Sequence, residues 1–116
     1  MSNKSVSDDA GEALRMAVSR FLVPIQTTRV VDEEAFRTLH EEALNLVRAF
    51  KGQKRVPKAL LLELLGSYSI LRSEAPYFGA KQALLESMAD KIEICFRMIL
   101  ADEVPGERQS GVPRIM

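Results

Sequence analysis

Phe36, Leu39, Ala43, Leu46 and Phe50 recur at intervals of three, four, three and four residues. That alternation places them in one seam along a helix, the arrangement that packs against a second helix. The same spacing returns at Leu85, Met88, Ile92, Cys95 and Ile99. No segment competes with it through the strict two-residue alternation of a half-buried strand. The chain is therefore expected to be all-α, and the remaining question is how many helices share the seams.

Punctuation divides the chain into four helical segments. The first is expected over about residues 9–23, with Asp9 and Glu12 as a capping-box-like start and Ala10, Leu14, Ala17 and Phe21 on one face. Pro24 is expected to stop or kink it. Val31, Asp32 and Phe36 fit the hydrophobic staple and N-cap of a second helix, which Lys51 and Gly52 close. A third begins near Pro57 and ends before Pro76, with Val56 the candidate N-cap. The fourth covers about residues 80–103, and Pro105 and Gly106 end it.

Short connections make consecutive helices neighbours that run in opposite directions. The first connection spans eight or nine residues. The expected fold is an antiparallel up-down four-helix bundle, one domain over residues 1–104. A short, irregular and flexible C-terminal tail follows over residues 105–116, rich in Gly and Pro.

Composition limits the function classes. A chain of 116 residues with 47% apolar and 28% charged residues is long enough to bury one core without a metal or disulfide. Sixteen basic residues balance sixteen acidic ones, so the chain as a whole has no reason to seek nucleic acid or an acidic membrane. Cys95 is the single cysteine, which excludes an internal disulfide framework and a thiolate metal cage. The N-terminal stretch is polar, without the apolar core of a signal peptide, and the apolar run near residue 95 is broken by Glu93 and Arg97. A cytoplasmic protein is expected, with no membrane partner.

Charge is nonetheless uneven. Arg48, Lys51, Lys54, Arg55 and Lys58 fall within eleven residues with no acid among them. In an up-down bundle this corner shares one end with Asp8, Asp9 and Glu12 of the first helix and with Asp102, Glu103 and Glu107 at the other terminus, so internal neutralisation is expected. Arg48 and Lys51 also suit a helix C-terminus. Lys54, Arg55 and Lys58 crowd the positive end of the third helix, where an anion is favoured and a cation is not. Anion or nucleic-acid binding at residues 48–58 is the alternative reading of the corner, although no aromatic residue is free there to stack on bases.

Few residues could carry chemistry. His40, the only histidine, falls at the boundary of the second helix's apolar face. A four-helix bundle presenting one boundary histidine resembles the histidine-phosphotransfer modules, and the "HEE" at residues 40–42 resembles the His-acid pair of histidine-kinase phosphoacceptor helices. The resemblance implies His40 as phosphoacceptor, with Arg37 one turn back to steady a phosphoryl group. The glycine and lysine that follow the histidine in that family are absent at the matching positions. Arg37 stands where a bundle di-metal site needs glutamate, and there is no second histidine, so neither metal nor cofactor is expected. Cys95 lies on a seam and is expected in the core. No catalytic residue is assigned.

The third helix carries the clearest functional hint. Leu60, Leu61, Leu62, Leu64, Leu65, Tyr68 and Leu71 cover an arc of about 200°, roughly twice the apolar stripe of a surface helix. Ala59, Gly66 and Ser73 form a strip of small residues on the other side. These patterns predict a non-enzymatic protein that works by protein–protein association, as adaptor, regulator or antagonist. Lys54, Arg55, Lys58, Leu61, Leu65 and Tyr68 are the candidate binding residues, and a two-fold homodimer is the simplest assembly. The terminal "GVPRIM" is a second candidate for docking.

Overall fold

The structure, a computed structural model, describes residues 6–101, with side chains from residue 11 onward. Among the described residues it is all-helical, without a strand. Helix α1 spans Val6–Thr28, α2 Glu33–Ala49 and α3 Lys58–Glu74; a 3-10 segment covers Ala75–Lys81, and α4 spans Gln82–Ala101.

Helix α1 runs through Pro24 instead of stopping there. The reason is the apolar period, which continues past the proline: Ile25, four residues after Phe21, is fully buried. Burying such a side chain contributes about 1.5–3 kcal/mol, enough to offset most of the ~3 kcal/mol cost of an interior proline. The hydroxyls of Thr27 and Thr28 donate to the carbonyls of Val23 and Pro24 at 2.7 and 3.0 Å, satisfying acceptors in the last turn. The connection to α2 consequently shrinks to residues 29–32. Arg29 breaks the helix in the left-handed region (φ 58°). Its guanidinium lies 5.8 Å from the ring centroids of both Tyr77 and Phe78, and Nη1 donates to the Tyr77 carbonyl at 3.4 Å. Tertiary contact thus holds a conformation that costs a non-glycine residue roughly 1–2 kcal/mol.

Helix α2 follows its sequence signals closely. The Asp32 side chain accepts the Ala35 N–H at 3.0 Å, and Glu33 and Glu34 occupy the first turn. Phe36, Leu39, Ala43 and Leu46 are buried, while Phe50 is half-buried against the core. Gly52 takes a positive φ of 77° just past the helix, which glycine adopts without steric penalty.

Helix α3 has Pro57 as its N-cap, one residue beyond the expected Val56, and no side-chain hydrogen bond closes that end. Leu60, Leu64, Ser67 and Leu71 are its buried residues. Ser67 satisfies its hydroxyl by donating to the Glu63 carbonyl at 2.6 Å. The chain then winds through the 3-10 segment, where the backbone of Gly79 (φ 54°, ψ −118°) makes the turn into α4. The sequence predicts the start of the fourth helix at about residue 80. Gly79 instead delays α4 to Gln82, because its backbone leaves helical geometry. All five seam residues of α4, from Leu85 to Ile99, are buried.

The helices pack α3 against α4, α1 against α2, α2 against α4 and α1 against α3. Consecutive α2 and α3 are absent from this set of principal contacts, a departure from the expectation that neighbours in sequence pack side by side. The link at residues 50–57 is long enough to carry the chain across to a non-adjacent position. Phe21 packs on Phe36 (ring centroids 5.2 Å apart) and Tyr68 on Phe96 (5.7 Å). Gly11 lets α1 approach α3 closely, since a Cβ there would lie 3.0 Å from Leu60 Cδ2. The expected tail, residues 105–116 with "GVPRIM", lies outside the described residues.

Candidate interaction surface

The basic corner connects α2 to α3. Lys54, Arg55 and Lys58 are exposed, and among the described residues none of them makes an ion pair. Arg48, in the last turn of α2, sits where the helix dipole favours a cation. The contact between Gly11 and Leu60 brings the start of α1 beside the start of α3. Of the acids expected to neutralise the corner, Glu12 is exposed on α1. The Asp8 and Asp9 side chains, and Asp102, Glu103 and Glu107, lie outside the described residues.

From the corner, the outward face of α3 continues along the molecule. Leu62 is 64% exposed and Leu65 38%, and Ala59, Ser69 and Ser73 beside them are exposed as well. These residues carry no charge. Leu61 and Tyr68, also read from sequence as candidate binding residues, are half-buried against the core instead. Leu62 belongs to the apolar arc predicted from sequence but not to the candidate binding residues. A helical wheel centred on Leu60, Leu64 and Leu71, the leucines that reach the core, places Leu62 outward. The undivided run of leucines hid that centre.

At its other end α3 has the opposite electrostatics. Arg72 Nη2 lies 2.9 Å from Asp90 Oδ1 and 2.5 Å from Glu93 Oε1, and Nη1 lies 3.4 Å from Glu86 Oε1. Arg97 holds the second oxygen of Glu93 at 2.7 Å. The hydrogen bond from Arg72, then that from Arg97, holds the Glu93 carboxyl below its ordinary value, and the bonds from Glu93 and Asp90 raise Arg72. The Arg72 guanidinium also sits 6.0 Å from the Tyr68 ring centroid. The sequence reading missed this cluster because its members lie 14 to 21 residues apart. The i, i+4 spacing of Glu93 and Arg97 was the only local signal.

His40 is half-buried and stacks on Phe36, with ring centroids 5.8 Å apart and planes 17° apart. Burial, then the charge of Lys91, lowers its pKa, while Glu41 opposes the shift. The imidazole is therefore neutral at pH 7. Arg37, the expected phosphoryl partner, is exposed and lies 3.9 Å from Glu34 Oε2. Cys95 is buried, and burial pushes its thiol up to about 11, so it keeps its proton at neutral pH. Among the described residues no group of three His, Cys, Asp or Glu side chains is placed to hold a metal ion. No helix there is long and apolar enough to cross a membrane. An open depression lies beside the 3-10 turn, lined by Gly79, Gln82, Glu86, Ser87 and Asp90. Comparison with known proteins finds no match among family models, curated proteins or solved structures.

Proposed function

We propose that this chain is a non-enzymatic helical protein that acts by association with another protein, through the outward face of α3 and the basic corner at its N-terminal end. The observation that carries the reading is the exposure of Leu62 and Leu65 beside Lys54, Arg55 and Lys58, which make no ion pair among the described residues. An isolated exposed leucine needs no explanation, but two on one face next to cations without an ion pair among the described residues form a patch of mixed character like that of protein contact surfaces. An antiparallel up-down bundle is the arrangement in which we read the helices. Its support is the approach of Tyr68 to Phe96 and of Arg72 to Asp90, where one helix rises in number as the other falls. The lone protonated thiol suits the reducing cytoplasm.

Affinity capture from native extract tests the proposal, comparing the parent chain with a Leu62→Glu, Leu65→Lys variant of unchanged helicity. A partner held by the parent and lost by the variant is the expected result. Identical captured proteins on both would overturn the assignment to α3. A second reading, phosphotransfer through His40, is favoured by one observation: the ring is only half-buried and neutral, so a nitrogen lone pair is available to attack phosphorus. The neighbouring Glu41 and Glu42 count against it, since they repel the phosphoryl group that the ring would accept.

A further inference from the structure

Gly66 sits in the middle of α3, at a position where helix propensity disfavours glycine. Among the described residues nothing uses its small size: a Cβ built there meets none of their atoms within 4 Å. Gly11 is the contrast, because the approach of α3 fills the space beside it. Residues four apart on α3 form a row across Gly66, reading Lys58, Leu62, Gly66, Ile70 and Glu74. This row is self-complementary about its centre, with a cation at one end, an anion at the other, and Leu and Ile between them and the glycine. Lys58 and Glu74 make no ion pair among the described residues. Leu62 is exposed, Glu74 is half-buried, and Ile70 packs partly against the core while keeping part of its surface open.

We infer that the occupant of the α3 face is a second copy of this chain, paired by a two-fold axis at Gly66. The inference rests on the association reading above and names its partner. In this pairing Lys58 meets the partner's Glu74, Leu62 meets the partner's Ile70, and the two glycines face each other at the crossing. The helix rise of 1.5 Å per residue puts Lys58 and Glu74 each about 12 Å from Gly66, on opposite flanks of the face. A crossing of about −50°, the class formed when i±4 rows of two helices interdigitate, swings those flanks toward one another. Each Lys58 then lies against a Glu74 of opposite charge, twice per dimer. Two closely approaching backbones at the crossing supply a use for glycine that the described residues of the single chain do not.

Sedimentation equilibrium of the full chain, from micromolar to millimolar concentration, tests the pairing. The parent is expected to shift from monomer to dimer. Gly66→Gln is expected to abolish the shift while raising the melting temperature of the dilute monomer, which separates lost pairing from lost folding. Lys58→Glu and Glu74→Lys should each weaken the dimer about tenfold or more, by setting like charges face to face. The Lys58→Glu, Glu74→Lys double variant should recover it. A parent that stays monomeric throughout overturns the pairing, leaving the capture experiment to decide association with a different protein. A dimer that survives Gly66→Gln, or that the double variant fails to recover, overturns the two-fold register.

Discussion

The two ends of α3 treat positive charge in opposite ways. At the C-terminal end Arg72 is gripped by Glu86, Asp90 and Glu93, and Arg97 takes up the remaining oxygen of Glu93. At the N-terminal end Lys54, Arg55 and Lys58 stand exposed without an ion pair among the described residues. The helix dipole favours a cation at the first location and disfavours it at the second. One end is thus satisfied by the chain's own fold, and the other retains charge that the described fold does not use. Stability arguments apply to the Arg72 cluster, and association arguments to the corner and the outward row that leads from it.

The sharpest test of this division compares leucines from the two sides of α3. Leu64→Ala is expected to cost about 2–5 kcal/mol, as a fully buried leucine, while Leu62→Ala should change stability by no more than about 0.5 kcal/mol. Urea denaturation measures both, and similar losses would erase the distinction between inward and outward faces.

A smaller effect is expected at the charged end. Arg72→Met should destabilise by about 1 kcal/mol, because the side chain is partly exposed and its ion pairs are screened. Glu93 also gives the loss a pH signature. Its carboxyl is held below the ordinary value of 4.5, so its contribution is fully present above that pH. It is lost as pH falls from there through the lowered native value, where the unfolded chain takes up a proton before the folded one does. Acid titration of stability should therefore be flatter in Arg72→Met than in the parent below about pH 4.5. Parallel curves would show that the cluster contributes nothing to folding.

Least change is expected at the corner itself. Replacing Lys54, Arg55 and Lys58 together by Gln should leave stability within about 0.5 kcal/mol, with any shift toward greater stability as cations leave the positive helix end. A marked loss by thermal melting would mean that these charges serve the fold after all.

Local signals account for the parts of the molecule that were legible in advance. The Asp32 cap, the buried seams of α2 and α4 and the glycine that ends α2 each depend on residues within one or two turns of each other. Pro24 misled because its cost is local, whereas the burial of Ile25 that offsets it depends on neighbouring helices. At the 3-10 segment the kink at Gly79 is local, but the brace that Arg29 gives it, 48 residues from Tyr77, is not. On α3 the abundance of leucine announced a wide apolar face without saying which leucines the core would take.

Taken by itself, the order of residues determined that this chain is helical, where most of its helices begin and end, and which seams of α2 and α4 are buried, since those properties follow from spacing along a single rod. Only the tertiary structure decided which helices touch, which cations find carboxylates, and that Leu62 faces outward while Leu61 and Tyr68 turn toward the core. The physical reason is that burial and charge pairing depend on distance through space, and a loop as long as that at residues 50–57 leaves such distances open until the helices have packed.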